Sequence, residues 1–308
     1  MQILRGFTHF SRFSRPTAVA IGNFDGLHLG HKAILHALVE RAHAGGLCSL
    51  VLTFSPHPEK VLGQRRVAMI QTLPQRLAGL RKSGVQAVLV VPFGQAFSRL
   101  TSQEFLKDIL ISLLGAKEII VGENFRFGLN RQGDIEELRR LGRKHGVIVH
   151  SVPQVKSKGR AVSSSLIRSF LFEGKVQEAN ALLGYPYEIE GKVIKGSSRG
   201  ASLGFPTANI LTANEITPEG VFITAATLSR QTYPSVTNIG FRPTFGRDRF
   251  QVETFIFGFN RSIYGKRIRL GFLKKIRDEK VFSSQNALVR QVSKDMKVAQ
   301  DFFKKSKG

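Results

Sequence analysis

Gly22-Asn23-Phe24-Asp25-Gly26-Leu27-His28-Leu29-Gly30-His31 is the stretch that decides the fold. An apolar run, Ala18-Val19-Ala20-Ile21, precedes it, and a segment of helical pattern, Lys32 to Ala44, follows. A glycine-rich turn therefore joins a strand to a helix. In α/β proteins such a turn lies at the carboxyl end of a strand, where ligands bind. The helix starting there points free N–H groups and the positive end of its dipole at the same place. Phosphate is the natural guest. His28 and His31 sit on this turn, and an imidazole can donate a hydrogen bond to a phosphate oxygen. Two other readings stand beside this one. Two histidines three apart can ligate a metal, although no Cys/His cluster lies nearby to complete the site. A tight turn capped by histidines needs no ligand at all.

Outward from this turn, Leu47–Phe54, Ala87–Val91, Glu118–Val121 and Val147–Val149 read as buried strands, with segments of helical length and period between them. Ser102 is the expected cap of a helix carrying Phe105, Ile109 and Leu113. Alternating strands and helices predict a largely parallel sheet with helices on both faces. Polar motifs follow the strands. Ser55-Pro56-His57-Pro58 is a stiff, non-helical loop. Gly122-Glu123-Asn124-Phe125-Arg126-Phe127-Gly128, then Arg131, offers two aromatics and two arginines, suited to a ring plus phosphates. Val162-Ser163-Ser164-Ser165-Leu166-Ile167-Arg168 places hydroxyls at a helix start, with Arg168 one turn on. A helix over Val176–Leu183 stops at Gly184, and there the pattern changes.

From Tyr187 the apolar runs become short: Glu188–Ile194, Val221–Leu228, Ser235–Ile239, Val252–Phe257 and Ile268–Phe272. Turn residues punctuate them, as in Gly196-Ser197-Ser198-Arg199-Gly200 and Arg242-Pro243-Thr244-Phe245-Gly246. Such spacing without helices predicts a small antiparallel barrel. Leu288, Val292, Met296, Ala299 and Phe303 form the apolar stripe of one closing helix. Leu203-Gly204-Phe205-Pro206-Thr207-Ala208-Asn209-Ile210 carries a second chemistry. Glycines at 196, 200 and 204 let backbone approach a phosphate chain. Thr207 and Asn209 share a strand face, and their oxygens can bind Mg²⁺, a hard cation.

The chain has 308 residues, a length that favours about two domains. Its 42% hydrophobic and 22% charged residues are ordinary globular usage. No apolar run reaches the roughly 18 residues that span a bilayer, and no apolar h-region follows the N-terminal arginines. Cys48 is the single cysteine, so a disulfide framework is excluded and a cytoplasmic location is expected. Lying in an apolar run, Cys48 reads as buried filler. The net charge of +24 suits anionic ligands, but Lys and Arg are dispersed. Only Phe302-Phe303-Lys304-Lys305-Ser306-Lys307 is locally basic, and no aromatic-basic platform for nucleic acid is seen.

Gly22–His31, with its HxGH core, resembles the signature of the nucleotidylyltransferase superfamily. In its longer form it resembles the bacterial bifunctional riboflavin kinase/FAD synthetase family. Thr53–Pro58, Gly122–Gly128 and Val162–Arg168 are similar to that family's TFxPHP, GxDFRFG and ISSTxIR motifs, with Asn124, Val162 and Ser165 as variants. Gly196–Asn209 resembles its riboflavin kinase signature, and Val252-Glu253-Thr254-Phe255 its VExH motif, with Phe255 for His and Gly258 for an acidic residue. Arg277–Phe282 also matches.

The resemblance implies an HxGH-type α/β adenylyltransferase domain over 1–184 and a β-barrel kinase domain with a C-terminal helix over 185–308. ATP would phosphorylate riboflavin to FMN and then adenylylate FMN to FAD, with Mg²⁺ accompanying ATP. Flavins are substrates and products, and neither a membrane nor a specific nucleic acid is a partner. His28, His31 and Glu253 would be catalytic. Gly22, Asn23, Phe24, Asp25, Asn124, Arg126, Ser164, Ser165 and Arg168 would hold ATP for adenylyl transfer, and Phe54, His57 and Pro58 the flavin. Gly196, Gly204, Pro206, Thr207 and Asn209 would hold the kinase ATP, with the metal on Thr207 and Asn209. The competing expectations are a chain with one degenerate half, the kinase half being suspect, and a basic nucleic-acid-binding protein without catalysis.

Overall fold

The computed structural model describes residues 1–7, 13–63, 67–196, 203–242 and 249–305. The turn residues Ser197–Gly200 and Pro243–Gly246, and the tail residues Ser306 and Lys307, lie outside the described residues. The chain divides into two compact units, Met1–Ser163 and Ser164–Gly308.

The first unit is a six-stranded parallel sheet. Its strands are β1 (Gln2–Arg5), β2 (Thr17–Ile21), β3 (Cys48–Phe54), β4 (Ala87–Val91), β5 (Ala116–Gly122) and β6 (Ile148–Val152), in the order β1-β4-β3-β2-β5-β6. The chain winds from β2 through β3 to β4, then crosses back to β5 on the other side of β2. The strand order thus reverses between β2 and β5, and sheets of this kind bind ligands outside the carboxyl ends at that point. The helices are α1 (Leu29–Ala44), α2 (Pro58–Val61), α3 (Leu73–Lys82), α4 (Gln95–Ser98), α5 (Ser102–Glu104) and α6 (Ile135–Lys144). Alternation along β2 divides its side chains between two cores. Ala18 and Ala20 meet Leu35 and Leu38 of α1 and Leu77 and Leu80 of α3. Val19 and Ile21 meet Leu106, Leu110, Leu138 and Leu141 on the other face.

Two details differ from the sequence reading. Thr101, not Ser102, caps α5: its Oγ1 accepts the Glu104 N–H at 3.2 Å, and the Glu104 carboxylate accepts the Thr101 N–H at 2.8 Å. This reciprocal pair satisfies two donors where Ser102 would satisfy one. Beyond Glu104, Phe105–Leu113 winds as a π-helix, as in the bond from Leu114 N–H to Ile109 O.

The second unit opens with β-hairpin-free helices α7 (Ser164–Phe172) and α8 (Val176–Leu183), the latter ended by Gly184 at φ 70°. Six strands follow: β9 (Glu188–Ile194), β10 (Ala208–Thr212), β11 (Gly220–Leu228), β12 (Gln231–Arg242), β13 (Arg249–Ile256) and β14 (Arg267–Arg277). They close into an antiparallel barrel in the order β10-β13-β12-β11-β14-β9. (Two short strands of the first unit, β7 (Lys156–Ser157) and β8 (Arg160–Ala161), form a separate ribbon.) α8 packs in this unit because Asn180 donates to Phe272 O at 2.7 Å and accepts the Tyr187 N–H at 2.6 Å. The closing helix α9 (Gln285–Lys305) lays Val292, Met296, Ala299, Phe302 and Phe303 over Val221, Ile223 and Val236. Buried Asp295 pins it, accepting from Arg277 Nε at 3.0 Å and pairing with Arg277 Nη2 at 2.9 Å. Arg277 of the segment 277–282 is therefore structural.

Candidate functional site

Each unit holds one cluster of the expected residues. In the first, the β2–α1 turn lies at the strand-order reversal. His28 is the N-cap of α1, and its Nδ1 accepts the His31 N–H at 3.3 Å. With Nδ1 accepting, the ring proton of neutral His28 is on Nε2, which is left as a donor. The His31 ring stacks on that of His28, centroids 3.6 Å apart and planes 17° apart, and leans on Phe24 at 5.2 Å. The glycine between them keeps this contact roomy: a Cβ at position 30 would come to 3.2 Å from the His28 ring and press on it. Stacked rings hold their in-plane lone pairs in parallel planes, which suits two outward donors better than convergence on one metal. Phe24 and Leu27 take φ of 51° and 39°, backbone strain of the kind retained at ligand-binding turns.

Buried Asp25 accepts the N–H groups of Ile70 and Gln71 at 3.0 and 3.1 Å. Both carboxylate oxygens thus tie the segment before α3 to the turn, and the sequence expectation that Asp25 holds ATP gains a structural duty beside it. Asn23 faces His57: its side-chain amide lies 2.9 Å from His57 Nε2. His57 Nδ1 accepts the Glu59 N–H at 3.2 Å as the cap of α2. The ring proton is then on Nε2, which assigns the Asn23 amide oxygen as its acceptor. Pro58 is the first residue of α2, where a missing N–H costs nothing.

Phe54 ends β3 in a chain of rings. It meets Phe93 at 5.6 Å and Phe97 at 5.7 Å. Phe97 meets Phe105, Phe105 meets Phe127, and Phe127 stacks on Phe125 at 5.6 Å. An aromatic belt therefore runs across the carboxyl ends of β3, β4 and β5. Asn124 is exposed beside it. Arg126 is half-exposed and pairs with Asp134 at 3.3 Å. Asp134 caps α6, and the Glu137 N–H, with help from Arg126, holds its carboxyl below the usual range.

One buried side chain beside this turn was not marked from the sequence. Arg76, on α3, donates to Asn23 O at 2.6 Å and to Phe54 O at 3.0 Å. Burial lowers its pKa and Asp25 opposes that. Arginine in an amphipathic helix normally reads as solvent-facing, so no sequence signal marked it.

In the second unit, Ser164 and Ser165 open α7, and Arg168 lies one turn along. In the barrel, strand register places Asn209 of β10 opposite Glu253 of β13, and Glu253 opposite Asn238 of β12. These three form a row across the outer face of three adjacent strands. Asn238 was not marked from the sequence, because a lone Asn in a strand reads as surface. Gly196 lies against Asn209 so closely that a Cβ there would overlap the Asn209 amide. Phe255 shares the Glu253 face and packs edge-on to Phe257 at 5.3 Å, which gives the aromatic a packing reason where the motif has His. Gly258 takes φ 65°, a turn geometry that favours glycine. Gly204 and Pro206 lead into β10.

A cavity of about 770 Å³ is lined by Tyr233, Phe259, Arg261, Lys266, Arg267 and Arg269, among others. Its loop is bonded to β9 through Gly265 N–H to Val193 O at 2.8 Å, next to Ile194, the partner of Asn209.

Both clusters have counterparts in known proteins. An FAD synthetase family model matches residues 11–166, and a riboflavin kinase model matches 183–303. The bifunctional riboflavin kinase/FMN adenylyltransferase of Escherichia coli K12 is 35% identical over 307 residues, covering 98% of each chain. The chain belongs to the bifunctional riboflavin kinase/FMN adenylyltransferase family. The Haemophilus influenzae member is 35% identical over 306 residues, covering 98% of this chain and 99% of its own. A crystal structure from Streptococcus pneumoniae, of a protein named macrolide-efflux protein, matches with a TM-score of 0.89 at 28% identity, covering 97% of this chain and 99% of its own. Among the described residues, no helix is long and apolar enough to cross a membrane. The stretch that the FAD synthetase model matches holds strands β2–β6, and the stretch that the riboflavin kinase model matches holds the barrel strands.

Proposed function

We propose that this chain makes FMN from riboflavin and ATP at the barrel, and FAD from FMN and ATP at the β2–α1 turn, in the cytoplasm. The observation that carries the reading is the row Asn209–Glu253–Asn238 on the barrel, matched by the stacked histidines at the strand-order reversal of the parallel sheet.

In adenylyl transfer, an FMN phosphate oxygen attacks the α-phosphorus of ATP and pyrophosphate leaves. Charge builds on the α-phosphate and the leaving group, and donors already in place stabilise it. His28 and His31 supply two such donors, with the N-terminus of α1 behind them. Gly22, Asn23, Phe24, Asp25 and Asn124 shape the nucleotide side. Arg126, Ser164, Ser165 and Arg168 hold phosphate oxygens; ATP phosphate would replace Asp134 as the partner of Arg126. Phe54, His57 and Pro58 border the flavin. Assigning α7 to this reaction, within a functional division at 1–184 and 185–308, is part of the proposal, although α7 packs within the second compact unit.

In the kinase, the riboflavin 5′-hydroxyl attacks the γ-phosphorus of ATP and ADP leaves. Glu253 accepts the hydroxyl proton. The glycine-lined approach at Gly196, with Gly204 and Pro206, keeps the phosphate chain near Asn209. Thr207 and Asn209 offer hard, neutral oxygens, which fit Mg²⁺ shared with nucleotide phosphates. When bound, Mg²⁺ offsets phosphate charge. Incubating the purified chain with riboflavin, ATP and MgCl₂ tests the reading: FMN and then FAD should accumulate. Absence of either product would remove the corresponding site assignment.

A further inference from the structure

Arg76 is a buried cation, 2% exposed, that the chemistry above leaves without a task. Its two terminal nitrogens go to different segments. Nη1 bonds Asn23 O on the nucleotide turn, and Nη2 bonds Phe54 O at the flavin-side end of β3. The β2–β3 ladder ends at Ile21 and Leu52, with Gly22 N–H reaching Leu52 O. Past that point β2 gives way to the nucleotide turn while β3 runs on to Phe54 against β4, and Arg76 links the two with its side chain. Thr53 Oγ1 supports the same Asn23 carbonyl at 3.1 Å.

A guanidinium is planar and its donors form a fixed fork. Two carbonyls bonded to one fork are held at a set separation and angle. A lysine ammonium carries the same charge but has no such fork. Burying a cation is costly unless it is well bonded, and apolar side chains serve stability as well or better. Among the described residues the Arg76 guanidinium bonds these two backbone carbonyls while its buried Nε has no partner, which points to geometry as its purpose.

We propose that Arg76 is a positioning residue for adenylyl transfer, holding the nucleotide turn and the flavin-side strand end at the separation that lines up the FMN phosphate with the α-phosphorus of ATP. This rests on reading the β2–α1 turn as the adenylyl-transfer site. In-line transfer needs reacting atoms about 3–3.5 Å apart, and a displacement of about 1 Å costs about 10²-fold in rate.

The test uses the full-length chain with Arg76→Lys and Arg76→Gln. The measurements are kcat and KM for ATP and FMN in FAD formation, riboflavin phosphorylation in the same preparations, and the melting temperature. Arg76→Lys should lower kcat for FAD formation by about 10–10²-fold while both KM values stay within about twofold. Riboflavin phosphorylation should be unchanged. Full kcat in a folded Lys or Gln variant would overturn the proposal. So would failure of both variants to fold, which would make Arg76 a stability residue. A wild-type chain that makes no FAD would overturn the site reading itself, and this proposal with it; an active wild type isolates the question to Arg76.

Discussion

His31 lies face to face with His28, ring centroids 3.6 Å apart, while its own backbone N–H is the donor that fixes the His28 tautomer. The two side chains are thus one unit, with the second residue presenting the first. His31→Ala should cut FAD formation from FMN by about 10²–10³-fold, the usual loss for one transition-state donor. Riboflavin phosphorylation should stay near normal. Equal loss in both assays would mean misfolding rather than lost chemistry.

Glu253→Gln keeps size and hydrogen bonding but removes the basicity. FMN formation should fall by about 10²–10⁴-fold, with ATP binding and FAD formation from supplied FMN intact. Near-normal phosphorylation by this variant would take Glu253 out of the mechanism.

Gly196→Ala places a methyl group where the Asn209 amide lies. Asn209 must swing away from the row it shares with Glu253. The expected result is a higher KM for MgATP in riboflavin phosphorylation, with FAD formation unchanged. Steady-state kinetics of the two reactions on one preparation separate these outcomes.

Fragments 164–308 and 185–308 should both phosphorylate riboflavin, but they should melt differently. The shorter one loses both Asn180 bonds, to Phe272 O and Tyr187 N–H. At about 0.5–1.5 kcal/mol per bond, roughly 1–3 kcal/mol is at stake, or about 4 °C or more in melting temperature. Equal melting temperatures would show that α7 and α8 contribute nothing to the barrel.

Acid stability has a defined sign. Glu104, Asp134, Glu173 and Asp278 all have carboxyls held below their ordinary values: by Thr101 through backbone and side-chain bonds, by the Glu137 N–H, by Lys175 and by Lys275 respectively. A depressed folded pKa contributes stability that is complete above the unfolded value of about 4 and lost as pH falls through the folded one. These four carboxyls therefore make urea midpoints decline below about pH 4 and add no pH dependence between about pH 7 and 5. A midpoint that rises on acidification in that range would contradict these assignments.

The parallel sheet and the barrel were legible because apolar runs and turn residues alternate plainly; β4, α8 and β9 begin and end where the patterns did. β1 was not: four residues, mostly exposed, at a sheet edge carry little periodicity. The stacked histidines were readable as a motif, but not their stacking, which is set by the turn's backbone and the His28 cap bond. Arg76 and Asn238 escaped for another reason. Each has a residue type common on surfaces, and only tertiary pairing gives it a place. The packing of α7 and α8 in the barrel unit also needed the fold, since an apolar stripe announces burial without naming what covers it.

The ties among Asn23, Asp25, Thr53, His57, Ile70, Gln71 and Arg76 join three loops before any nucleotide arrives. Ordering loops on binding would draw on the ligand's own interaction energy, and here that ordering is done during folding. The backbone protons of Ile70 and Gln71, held by a buried carboxylate, should then exchange with solvent only when the surrounding fold opens. Their exchange should be equally slow in the ligand-free and nucleotide-saturated protein, so this part of the molecule behaves as a casting rather than a hand that closes.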